Sequence, residues 1–163
     1  MTDVLALREP AHRVSPRARL MWHLTTGVEG LAIAVLLVAV TLLWDGLGVP
    51  WWLVAVLVAL DAAYVVVVPR WRYRVHRWEA TETAVHTQTG WWARERRIAP
   101  MSRVQTVDHV EGAVERLFRL ASVTVTTASA AGALRIEGLD RDVARRLVAD
   151  LTQQADAVAG DAT

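Results

Sequence analysis

Residues 24–68 read LTTGVEGLAIAVLLVAVTLLWDGLGVPWWLVAVLVALDAAYVVVV. Two apolar runs are parted only by Asp45-Gly46-Leu47-Gly48-Val49, and the chain on either side is polar enough to stay in water. A helix needs about 20 apolar residues to cross roughly 30 Å of hydrocarbon, and both Leu24 to Trp44 and Pro50 to Val68 reach that length. At about −0.4 kcal/mol per Leu, Ile or Val, each run gains about −4 kcal/mol against roughly +3 for one central acid. The expected unit is a two-helix transmembrane hairpin. A cleaved signal peptide is the rival for the first run, but no Ala-x-Ala site follows at Trp44-Asp45-Gly46 and a second span comes at once. The remaining polypeptide is too small to wrap two such runs inside a soluble protein.

Charge orients the hairpin. Arg8, Arg13, Arg17 and Arg19 precede it, Arg70, Arg72, Arg74 and Arg77 follow it, and the intervening loop has no basic residue. Both termini are therefore expected in the cytoplasm. Trp22, Trp71 and Tyr73 would lie at one interface and Trp44, Trp51 and Trp52 at the other, as an aromatic belt requires. The net charge of +1 conceals this asymmetry, and the absence of cysteine excludes disulfides, thiolate metal sites and cysteine nucleophiles.

Inside the hairpin, Glu29 and Asp61 are the intramembrane polar residues, and an acid in hydrocarbon marks a functional site by default. Counted from the external turn at about 1.5 Å per residue, they lie about 22 and 16 Å deep, one helical turn apart. That places them to share a proton or to meet a partner's arginine. Glu29, between Gly27 and Gly30, can instead snorkel to the cytoplasmic headgroups. Asp61 sits mid-run and is expected to face Glu29, another subunit or a polar partner helix. One acid per helix is too little to line a transport pathway.

Beyond Pro69 the period becomes two. Arg70, Arg72 and Arg74 alternate with Trp71, Tyr73 and Val75, which predicts a strand leaving the membrane with a basic face at headgroup level. Further strands are expected at Ala84 to Thr89, Trp91 to Ile98, Gln105 to Val110, Ser122 to Thr127 and Leu134 to Glu137, with a hairpin turning near Gly90. Asp140 is a good N-cap for a helix whose stripe is Val143, Ala144, Leu147, Val148 and Leu151. The expected organisation is a mobile or partly helical basic arm over 1–22, the hairpin over 23–69, a small β-rich domain over 70–156 capped by the last helix, and a frayed tail over 157–163. The fold class is that of an α+β membrane protein.

Several stretches carry a resemblance. Trp71-Arg72-Tyr73-Arg74-Val75, Gly90, Arg96-Arg97-Ile98-Ala99-Pro100-Met101-Ser102-Arg103-Val104-Gln105-Thr106-Val107, Arg116-Leu117-Phe118 and Val123-Thr124-Val125-Thr126-Thr127-Ala128 resemble the YdbS-like bacterial pleckstrin-homology family of membrane-flanked domains. The resemblance implies a PH-like β-barrel or pair of sheets closed at one end by the C-terminal helix, in a bacterial plasma membrane. Two positions depart from the family pattern: Arg119 stands where glycine is frequent, and Ala113 where proline is common.

Site candidates follow. Arg70, Arg72, Arg74, Arg77, Arg94, Arg96 and Arg97 form the lipid-headgroup hypothesis, the last three also reading as a strand edge protected by charge. Pro100, Ser102, Arg103 and Gln105 form a motif whose polar members are read as satisfying backbone groups. His76, His86 and His109 would each fall on a separate strand, without a ligand set for metal. No nucleophile elbow, paired acids or Gly-rich phosphate loop is legible, so neither catalysis nor a cofactor is expected. The arginines cluster at the bilayer edge, which disfavours nucleic acid. What remains is a membrane-tethered module for protein assembly, working with a membrane-protein partner or a second copy. Sensing of anionic lipid or envelope state comes second, and an accessory subunit of a transporter or enzyme third.

Overall fold

The computed structural model describes residues 9–43, 48–90, 93–129 and 132–160. Arg8, Trp44, Asp45, Gly46, Leu47 and Trp91 lie outside them.

Helices α1 (Pro16–Leu43) and α2 (Trp51–Val75) form the hairpin. Only 6% and 11% of their most apolar windows are buried, whereas a soluble core helix would be mostly covered. Their inner faces meet where α1 is thinnest. A Cβ on Gly30 would stand 2.6 Å from Val65 Cγ2 and 2.8 Å from Asp61 Oδ2, so only glycine admits this approach.

Both helices run past the apolar stretches, α1 beginning before Leu24 and α2 ending after Val68. Ser15 is the N-cap of α1, its Oγ accepting from the Arg17 amide at 3.3 Å, and Pro16 takes the first helical position, where its missing N–H is no loss. The strand expected over 70–75 is instead the end of α2. Alternation over six residues fits either element, and here the helix survives its internal proline. Pro69 cannot donate to the Val65 carbonyl one turn back. His23 Nδ1 of α1, 3.2 Å away, serves that carbonyl instead. At the terminus, buried Gln88 donates Nε2 to the Val75 carbonyl at 3.2 Å, supplying a partner that helix ends lack.

The N-terminal arm is not wholly mobile either. Strand β1 (His12–Arg13) pairs with β2 (Arg77–Ala80), which pairs with β3 (Ala84–Thr89) and then β4 (Glu95–Pro100) in an antiparallel sheet. The hairpin expected near Gly90 is present, with Gly90 at φ 114°, where a Cβ would collide with the Ala93 carbonyl. A 3-10 turn at Met101–Arg103 leads to the second sheet: β5 (Val104–Val110), β6 (Leu120–Thr127) and β7 (Leu134–Asp140). Short helix α3 (Ala113–Leu117) joins β5 to β6, with Ala113 at its first position. Helix α4 (Arg141–Gly160) follows and takes in residues 157–160 of the expected tail.

The main core lies between the sheets and α4. Val85 and Ala99 meet Val123, Val125, Leu134 and Ile136, and Ala144, Leu147 and Leu151 close the end. This is the PH-like arrangement the resemblance implies, attached to two transmembrane helices. A second cluster, Val14, Ala18, Met21, Trp22 and Leu120, welds the start of α1 to the domain. Gly138 makes that contact possible. It sits at φ 72° in an irregularity of β7, and a Cβ there would stand 2.6 Å from Ala18 Cβ.

Candidate functional site

A candidate site sits where the hairpin meets the β-domain. Trp22, Thr26 and Glu29 of α1, Tyr64 and Arg72 of α2, and His76 line a cavity of about 400 Å³. Its organising residue is Arg72. The guanidinium lies 4.3 Å from the centroid of the Trp22 ring, and Nη2 stands 2.5 Å from Glu137 Oε2 on β7. One side chain thus joins both membrane helices to the second sheet, by a cation–π contact and a charge-assisted hydrogen bond.

His76 completes the wall. Its Nδ1 lies 2.8 Å from the Arg72 carbonyl, which makes Nδ1 the donor. Its ring lies 5.1 Å from that of Trp22. Burial, and then the charge of Arg72, push its pKa below the ordinary 6.5, against the opposing pull of the backbone hydrogen bond and Glu137. The imidazole is neutral in the resting fold. His76 is thus the C-cap of α2, a correction to its expected strand position, while His86 lies on β3 and His109 on β5.

The expected headgroup arginines do not share one face. Because residues 70–75 are helical, Arg70 and Arg74 project together one turn apart while Arg72 turns inward to Glu137. Arg70 Nη1 donates to the Val66 carbonyl at 2.7 Å. Arg77 and Arg94 both reach Glu9, at 3.5 and 3.6 Å. On β4, Arg96 Nε donates to Gln88 Oε1 at 2.9 Å and Arg97 Nη1 to the Ala133 carbonyl at 2.8 Å. Trp22, expected in the lipid belt, is only 3% exposed and faces the domain, while Trp51, Trp52 and Trp71 remain outward.

Glu29 and Asp61 take neighbouring levels of the hairpin: Glu29 lines the junction cavity and Asp61 packs on Gly30. Neither forms an ion pair or hydrogen bond among the described residues. In the Pro100 motif, Ser102 lies in the 3-10 turn and the Arg103 carbonyl accepts from the Ala128 amide at 3.0 Å. Gln105 falls where the register shifts between Val104 and Thr106, as the extra residue of a bulge. Sequence reasoning missed His23, Gln88 and Glu137. A proline late in an apolar helix was the available signal for a carbonyl that another residue must serve.

Comparison with known proteins agrees with this architecture. A family profile described as "Bacterial PH domain" matches residues 25–155. The chain is 30% identical over 140 residues to the "UPF0699 transmembrane protein YdbS" of Bacillus subtilis (strain 168), a match covering 82% of this chain and 88% of that protein. No solved structure matches.

Proposed function

The chain belongs to the bacterial PH domain family, and on that premise we propose that it is a non-catalytic membrane protein presenting a cytoplasmic PH-like module for protein assembly at the membrane. Strands β4 and β5 carry this reading, because each is the outermost strand of its sheet and leaves a row of backbone donors and acceptors for a partner strand. Apolar side chains accompany them: Ile98 on β4, Val110 at the end of β5, and Val114 and Leu117 on α3 are all exposed. The Arg72 lock fixes these edges relative to the bilayer, so a membrane-protein partner or a second copy meets them in one orientation. Flanking arginines support a cytoplasmic position for both termini.

The test is photo-crosslinking in intact membranes from a benzophenone side chain at Ile98 or Leu117 of the full chain. The assembly reading predicts a discrete protein adduct that Val114→Lys abolishes from position 117. Adducts with lipid alone would contradict it. Anionic-lipid sensing is the second reading, favoured by the exposed pair Arg70 and Arg74 beside Trp71 at the exit of α2. Salt-sensitive protection of residues 70–78 from proteolysis would mark it.

A further inference from the structure

Five arginines from three parts of the chain converge on one open cleft of about 920 Å³: Arg17 in the first turn of α1, Arg119 between α3 and β6, and Arg141, Arg145 and Arg146 in the first two turns of α4. Their charge is incompletely balanced. Arg17 stands 3.4 Å from Asp140, while Arg141 and Arg145 share Glu111, at 2.8 and 3.9 Å. Among the described residues, Arg146 Nε reaches only the Asp142 carbonyl, at 3.3 Å. Arg119 has no ion-pair or hydrogen-bond partner for its side chain among the described residues. With Asp142 added, five guanidinium groups face three carboxylates. Gathering like charges in one cleft is unfavourable unless an anion joins them.

Arg119 adds a separate observation. Its φ is 56°, the left-handed region, and no other non-glycine residue among those described has positive φ. A side chain there costs about 1–2 kcal/mol that glycine would not. Its own carbonyl accepts from the Arg141 amide at 3.1 Å, so the strained backbone is anchored to the start of α4 with the side chain at the cleft. Strain of this kind persists where the surrounding structure enforces it and concentrates at ligand sites.

We propose that this cleft binds a phosphate group, carried by a soluble molecule or by a lipid headgroup. Guanidinium forks match phosphate oxygens in pairs, so several converging on one cleft can hold one phosphate by more than one fork. Arg17 lies seven residues before Leu24, about 10 Å along the helix from the hydrocarbon edge. That depth is open to both sources. The site is separate from the arginines at the end of α2.

The test uses the full chain in phosphatidylcholine nanodiscs, titrated calorimetrically with inorganic pyrophosphate, and a second set of nanodiscs containing phosphatidic acid, followed by thermal melting. The variants are R119G, R146Q and, as a charge control away from the cleft, R135Q. Pyrophosphate binding that weakens roughly tenfold or more in R119G and R146Q but not in R135Q, about 1.4 kcal/mol, supports a soluble ligand. Stabilisation by phosphatidic acid with the same variant pattern supports a headgroup. R119G relieves the backbone and should melt no lower than the wild type, so its loss of binding is not loss of fold. Absence of both effects in the wild type, or effects in R119G and R146Q no larger than in R135Q, overturns the proposal.

Discussion

Arg72 and Glu137 are 65 residues apart in sequence and 2.5 Å apart in the fold, and their pairing joins the C-terminal end of a membrane helix to the last strand of the β-domain. The side chains are 35% and 30% exposed, so the ion pair alone contributes no more than about 1 kcal/mol. Its weight comes from company. The Trp22 ring, the Gln88 cap on Val75 and the Gly138–Ala18 contact act at the same junction. The hairpin is therefore a continuation of the domain rather than a flexible tether.

The Pro69 repair predicts a non-additive pair. His23→Ala leaves the Val65 carbonyl without its donor and should destabilise the full chain in detergent by about 1–2 kcal/mol. Pro69→Ala restores a backbone N–H at that turn. In the Pro69→Ala background, therefore, the His23→Ala loss should shrink to a few tenths of a kcal/mol. Additive losses in thermal melting would contradict the hydrogen bond.

Gly138 is placed under two constraints, a φ of 72° and contact with Ala18. Gly138→Ala should destabilise by about 2 kcal/mol or more, from left-handed strain plus overlap. Ala18→Gly in the same chain should recover part of that loss. Hydrogen exchange would report the change at β7 and the first turns of α1 before α4.

At Gly30, the Asp61 carboxylate occupies the space a methyl group would take. Gly30→Ala should loosen the hairpin, while Asp61→Asn keeps its packing. If a polar helix partner holds Asp61, Asp61→Leu should insert well yet lose about 0.6–2 kcal/mol of assembly. Unchanged assembly of the leucine variant, measured by cross-linking in membranes, would leave Asp61 as a packing residue.

His76 makes the junction sensitive to acid. Its folded pKa lies below 6.5, so the stabilising neutral form is fully present above pH 6.5. As pH falls below that value the unfolded chain takes up the proton first, and stability declines until the folded pKa is passed. Melting of the wild type should fall from pH 6.5 to pH 5, with a smaller slope for His76→Asn. Equal slopes would assign the acid response to other groups.

Much of this fold was legible. Run lengths gave the hairpin, and the Ala144, Leu147 and Leu151 stripe gave α4, since both signals lie in contiguous sequence. Residues 70–75 misled because Arg-Trp-Arg-Tyr-Arg alternates with period two over too few residues to separate strand from helix. What keeps them helical is supplied from outside the segment, by His23, Gln88 and Glu137. Strand β1 has two residues and no period of its own. The arginine cleft was invisible for a related reason: Arg17, Arg119 and Arg146 become neighbours only after the second sheet and α4 assemble.

The rigid junction is the central claim, and a cysteine-free chain makes it directly measurable. Spin labels at Leu24→Cys on α1 and Thr152→Cys on α4, both exposed positions, report the distance between hairpin and domain by double electron–electron resonance in nanodiscs. The junction described above predicts one narrow distance distribution, broadened when Arg72→Ala and Glu137→Ala are introduced together. A broad distribution in the otherwise unaltered chain would show a domain that swivels on its helices and would contradict the account.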